Sequence, residues 1–212
     1  MDTPRALRLL LGLSAVACAP ADSSNVAGRR VAAPGEMPSP SGAPDMLPAP
    51  LWPTCPSAAL LQVGLHPEAS DRLRCAGVPS DAITQTLGNA AASAGYHARD
   101  GVVNGRDYCA AVDLHSRGLS TEQIRALLAR LGAHGFAAWY REPGSDGWPA
   151  DEAAHIHAVF VGVPMKPELQ SQVRDFLSGK NGLADRGAYA FWTPAPEVLD
   201  RVRALFQRIT PP

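Results

Sequence analysis

From about residue 80 onward the apolar and polar positions fall into two alternating periods. Ile83, Leu87, Ala91 and Ala94 recur at near-helical spacing behind Ser80, a residue type that caps helix N-termini, so the pattern predicts a helix from Ser80 to about Ala94. A second helix is predicted after Ser120. Gln123 completes a capping-box signature, Ile124, Leu127, Leu128 and Leu131 follow at i, i+3, i+4, i+7, and the stretch stops near Gly135. Pro167 suits the first turn of a third helix that buries Leu169, Val173, Phe176 and Leu177 and ends at Gly179. A fourth follows "TPAP", with Val198, Val202, Leu205, Phe206 and Ile209 as its stripe. Between the helices three strands are expected: "YCAAVDL" (108–114), "GFAAWYR" (135–141) and "HIHAVFVG" (155–162). "EPGSDGWPADEA", rich in Gly, Pro and Asp, is a loop between the last two. Helices and strands do not alternate strictly, so the expected class is α+β, with helices packed on one face of a mainly antiparallel sheet.

The N-terminal quarter breaks this pattern. Arg5 and Arg8 precede "LLLGLSAVAC", an apolar run too short to span a bilayer and shaped like the core of a secretory signal peptide. Residues 1–18 are therefore expected to be a leader. Its small residues before Cys18 resemble a bacterial lipoprotein processing site, with plain secretion as the alternative. Residues 19–50, rich in Pro, Ala, Ser and Gly, read as an unfolded linker, and residues 51–212 as the folded domain. The 212 residues, 46% hydrophobic with a net charge of −1, fit one such domain plus these additions. The expected location is the cell envelope, with membrane contact only through a lipid on Cys18. In an oxidising compartment Cys55 and Cys75 are expected to pair, leaving Cys109 as a core residue. No repeat, charge run or basic patch with interleaved aromatics points to a nucleic-acid partner.

Two features of the strands carry chemistry. Alternation in "YCAAVDL" puts Asp113 on one face with Cys109 and Ala111, a carboxylate among small apolar neighbours that needs a cation, a hydrogen-bonding cage or a metal. In "HIHAVFVG", His155 and His157 share a face. Zinc accepts imidazole nitrogen and carboxylate oxygen, and its catalytic sites use three protein ligands plus an open position. A polar cluster without metal is the alternative.

"AAVDL", the capped helix "STEQIRALLARLGAHGF", "AWY", an acidic loop and "HIHAVF", in that order, resemble the superfamily of zinc D-alanyl-D-alanine carboxypeptidases and hedgehog signalling domains, over roughly Tyr96 to Gly162. The resemblance implies that Asp113 and His157 bind zinc. It implies that His155 stays off the metal and stabilises the charge on the attacked carbonyl, and that an acid just ahead activates water. That acid is Asp151, by its distance from His157, or Glu152, by its E-x-x-H setting. The family's first histidine ligand usually sits seven residues before the aspartate, where this chain has Arg106, which has no lone pair to give. His97 is then the expected third ligand, provided "DGVVNGRD" folds back as a loop or hairpin; His115, on the face of Asp113, is its rival. His66 and His134 read as surface residues.

The implied function is zinc-dependent hydrolysis of peptidoglycan stem peptides near D-amino acids, by a carboxypeptidase or a related endopeptidase. Arg99 or Arg106 is a candidate for a terminal carboxylate, and Trp139, Tyr140 and Trp148 for the cleft wall. The alternative is a non-catalytic, zinc-containing cell-wall-binding module on the same fold.

Overall fold

The computed structural model describes residues 63–89, 93 and 95–210. The expected leader with Cys18, the linker and Cys55 lie outside the described residues. Cys75 is disulfide-bonded. Among the described residues no helix is long and apolar enough to cross a membrane.

In chain order the elements are α1 (Pro67–Cys75), β1 (Ile83–Gln85), β2 (Gly101–Val103), β3 (Arg106–Tyr108), β4 (Ala111–His115), α2 (Thr121–Ala133), β5 (Phe136–Arg141), β6 (His155–Phe160), α3 (Pro167–Leu177) and α4 (Pro196–Ile209). The class is α+β: among the described residues, four helices with an antiparallel sheet of order β1-β4-β6-β5, plus a separate β2–β3 hairpin. β4 and β6 are the interior strands, paired on both sides.

Local signals account for three of the helices. At the start of α2, Ser120 Oγ accepts from the Gln123 N–H at 3.3 Å and the Gln123 side chain accepts from the Ser120 N–H at 2.8 Å, the reciprocal capping box. Ile124, Leu127, Leu128 and Leu131 are buried on its inner stripe, and α2 packs on β5 and on α4. Both α3 and α4 begin at a proline and bury the stripes expected of them, with Leu177 and Ile209 only half-buried at the margins.

The helix expected from Ser80 does not form. A single 3₁₀ turn, Ser80–Ala82, leads directly into β1. The run Ile83-Thr84-Gln85 pairs antiparallel with β4, and Thr84 Oγ1 donates to the Asp113 carbonyl at 3.2 Å. The β-branched side chains of Ile83 and Thr84 fit a sheet edge, and pairing with a distant strand outweighs a weak apolar spacing. Ala91 and Ala94 lie outside the described residues. In exchange, α1 appears where no helix was expected. Its inner face is only Ala69, Ser70 and Leu73, too small a stripe to stand out. His66 caps it, its Nδ1 accepting from the Glu68 N–H at 3.2 Å, and its ring packs edge-on against Tyr108. His134 is also no surface residue. It ends α2 and is buried, and burial, then the nearby charges of Arg72 in α1 and Arg201 in α4, lowers its pKa.

The expected strand 108–114 is interrupted. Tyr108 closes the hairpin, Cys109 donates its N–H to the Gly64 carbonyl, and Ala110 gives its N–H to the Asp100 carboxylate at 2.7 Å. The Asp100 side chain is fully buried and also accepts from the Lys166 backbone N–H at 2.8 Å and from Lys166 Nζ at 3.2 Å. This one carboxylate ties β2, the start of β4 and the start of α3 together. Burial pushes the free Cys109 thiol up to about 12, which leaves it unreactive in the core.

Candidate metal centre

Sheet register assembles the site. Across the interior strands Asp113 stands opposite His157, and His157 opposite Trp139; in the next row His115 stands opposite His155, and His155 opposite Arg141. Opposed residues on antiparallel strands share a face, so one face carries all six side chains. The third member of the metal group arrives from outside the sheet. Asn104 and Gly105 take φ of 50° and 71°, as a two-residue hairpin turn requires, and the β2–β3 hairpin lets the chain before it fold over Asp113. His97 lies there, its carbonyl accepting from the Gly88 N–H at 2.8 Å.

His97 Nε2 is 3.0 Å from Asp113 Oδ2, and His157 Nδ1 is 2.8 Å from Asp113 Oδ1. One ligand atom from each of the three residues lies within 4.8 Å of the others, a group that can hold a metal ion. The two imidazoles are 2% and 4% exposed.

The remaining ring nitrogens determine the tautomers. His97 Nδ1 is 3.0 Å from the Thr86 carbonyl oxygen, which only accepts, so this nitrogen carries the hydrogen. His157 Nε2 is 3.0 Å from Gln172 Oε1 in α3. The Gln172 amide cannot be turned round, because its Nε2 donates to the Gly182 carbonyl at 2.9 Å; His157 Nε2 is therefore also a donor. In the neutral rings, both nitrogens facing Asp113 present lone pairs. Burial works against charging His157 and lowers its pKa despite the hydrogen bond and charge of Asp113. Burial alone would raise the Asp113 carboxyl, but contact with the His157 and His97 imidazoles holds it well below the usual carboxylate range. Two imidazole nitrogens and an ionised carboxylate thus converge on one point, where positive charge, either a proton on an imidazole or a divalent cation, balances them. The outward nitrogens bonded to oxygen acceptors are also the usual support of metal-binding histidines. The residues fit such an ion.

The group sits at the floor of a cavity of about 730 Å³. His155 lines it; its Nδ1 is 3.0 Å from the Ala153 carbonyl, and its Nε2 lies 3.9 Å from Asp113 Oδ1, farther than the other two imidazoles. His115 also lines the cavity, outside the group of three. Glu152 and its neighbour Asp151 are both exposed, but only Glu152 lines the cavity. Trp148 sets its ring edge-on to His155 at 5.0 Å, while Trp139 is wholly buried beneath, stacked 6.1 Å from His157. Tyr140 is half-buried against Phe191. The structure does not bring Arg99 or Arg106 to the cavity: Arg99 pairs with Asp107 at 2.9 Å on the surface, and Arg106 is exposed at the hairpin.

Two cavity residues escaped the sequence reading. Gln172 lies three residues after Leu169 and four before Phe176, so a polar amide on the buried stripe of α3 was its signal. Arg141 shares strand parity with Trp139, which puts a guanidinium on a core-facing position. No protein-family model, curated protein or solved structure matches the chain.

Proposed function

We propose that the chain is a zinc-dependent peptidase of the cell envelope that cleaves peptidoglycan stem peptides, on a fold of the D-alanyl-D-alanine carboxypeptidase and hedgehog kind. The observation that carries this reading is the pair of histidine tautomers fixed by Thr86 and Gln172, which aims two lone pairs and the Asp113 carboxylate at one point on a cavity floor. Two nitrogens and one oxygen are a donor set that zinc accepts, and three protein ligands leave a position for solvent. His97, Asp113 and His157 would hold the ion. Zinc so held would supply Lewis-acid chemistry, polarising a carbonyl and activating water for attack.

The protein's own groups supply the rest. Glu152, on the cavity wall, takes the proton of the attacking water and delivers it to the leaving amine. His155 keeps Nδ1 engaged with the Ala153 carbonyl, so Nε2 is the atom that meets substrate; protonated, it donates to the oxyanion. His97 Nε2 stands 3.0 Å from Asp113 Oδ2, which supports His97 in the ligand role that Arg106, without a lone pair, is unable to fill.

Elemental analysis of the purified full chain is expected to give about one zinc per molecule. His157→Ala should lose both zinc and stem-peptide cleavage, and Glu152→Gln should keep zinc while cleavage falls about 10²- to 10⁴-fold. A chain that takes up no zinc refutes the metal, and a zinc-loaded chain that binds wall peptides without cutting them is a binding module.

A further inference from the structure

Beside the metal group, the second cross-strand row ends in a buried cation. Arg141 is 3% exposed and lines the cavity. A guanidinium has five N–H donors, and Arg141 gives one of them, through Nη1, to the Asn181 carbonyl. Its carbon lies over two indoles, 5.4 Å from the Trp139 ring centre and 5.9 Å from that of Trp148. Among the described residues no carboxylate reaches ion-pair distance of it. The acids whose charge it feels are occupied. Asp146 accepts from the Ala190 and Phe191 N–H groups, Asp185 from Asn181 and the Gly187 N–H, and Asp113 faces the imidazoles. Burying a guanidinium without its anion is costly, and the fold bears that cost at a cavity wall.

The position relative to the metal group is specific. Arg141 stands directly opposite His155, one residue pair from His157, and Trp148 touches both the His155 ring and the guanidinium. Neighbouring strands lie about 4.8 Å apart. In a peptide, the carboxylate carbon of the last residue lies about one residue step, about 3.8 Å, from the preceding carbonyl carbon. A carbonyl above the histidines of β6 thus places a free C-terminus above β5, where the planar guanidinium fork accepts a carboxylate through two parallel hydrogen bonds.

We propose that Arg141 binds the terminal carboxylate of the substrate one residue beyond the cleaved bond, so that the enzyme removes a single C-terminal residue and is a carboxypeptidase, not an endopeptidase. The assignment rests on the peptidase reading above and transfers to Arg141 the role for which Arg99 and Arg106 were candidates.

The test uses the zinc-loaded full chain and two probes, N-acetyl-D-alanyl-D-alanine and its C-terminal amide, with binding followed by calorimetry and cleavage by product release. The unmodified chain should bind the acid about 10- to 100-fold more tightly than the amide. Arg141→Met should abolish the difference and Arg141→Lys keep part of it. Because the acid–amide comparison needs no variant, the result does not depend on Arg141→Met folding. Equal affinity for both probes, or no binding of the acid, overturns the assignment. The two proposals fail separately: cleavage indifferent to the terminal group removes Arg141 and leaves the peptidase, while acid-selective binding without cleavage keeps Arg141 and removes the peptidase.

Discussion

Gln172 offers the sharpest test of the metal centre, because it acts on an imidazole without being a ligand. Gln172→Leu removes the acceptor of the His157 Nε2–H and the donor to the Gly182 carbonyl. A buried donor left unsatisfied costs about 1–3 kcal/mol. His157 avoids that cost by moving its hydrogen to Nδ1, where Asp113 Oδ1 waits 2.8 Å away. The metal-free protein is then well satisfied, and an incoming ion must displace this hydrogen from the atom it needs. The tautomeric penalty therefore falls on the loaded state, about 1–3 kcal/mol, or roughly 5- to 150-fold in affinity. Losses of about 10- to 100-fold are typical when such supporting partners of metal ligands are removed. Competition with a chromophoric chelator measures the zinc affinity, and urea unfolding of the metal-free chain should show only about 1 kcal/mol lost, for the bond to Gly182. Gln172→Glu, which still offers an acceptor, should recover most of the affinity. Zinc affinity of Gln172→Leu within about twofold of the parent would refute the tautomer argument.

Lys166→Met strands the buried Asp100 carboxylate with two backbone N–H groups and no cation; urea unfolding should show about 3 kcal/mol lost, with an unchanged m-value. Acidification should weaken the metal-free chain in two stages. The His157 pKa is lowered on folding, so the unfolded state binds more protons and stability drops as pH falls below its ordinary 6.5; the Asp113 pKa is also lowered, adding a further drop below 3.8. Melting temperatures across that range check both, and a metal-free chain equally stable at pH 5 and pH 7.5 contradicts the first stage. Ser120→Ala opens the capping box of α2 and should cost about 1 kcal/mol by the same unfolding measurement.

What could be read from the sequence divides along local and non-local lines. The capping box at Ser120, the prolines that open α3 and α4, and the alternation in "HIHAVF" are all settled within a few residues, and the structure has each of them. Strand parity marked Asp113 and the pair His155/His157 within their own strands, and the family resemblance joined Asp113 to His157, which the β4–β6 register sets opposite each other. β1 was misread because its conformation is decided by β4, about thirty residues away, and α1 because Ala69, Ser70 and Leu73 make too faint a stripe. His97 was reachable only by assuming a hairpin whose Asn104-Gly105 turn was visible. Gln172 and Arg141 were passed over because polar residues within helices and at strand ends are usually solvated. Their burial depends on packing partners, Gly182 and Trp148, that no spacing rule connects to them.

Every side chain of the metal group except His97 is mounted on an interior strand, whereas Trp148 and Glu152 belong to the connection between β5 and β6 and Asp185 to that between α3 and α4. Insertions and exchanges in those two connections leave the hydrogen-bond ladder of β4 and β6 untouched. Walls and floor can thus evolve separately: grafting a different 142–154 segment should alter what enters the cavity while Asp113 and His157 keep their places opposite one another.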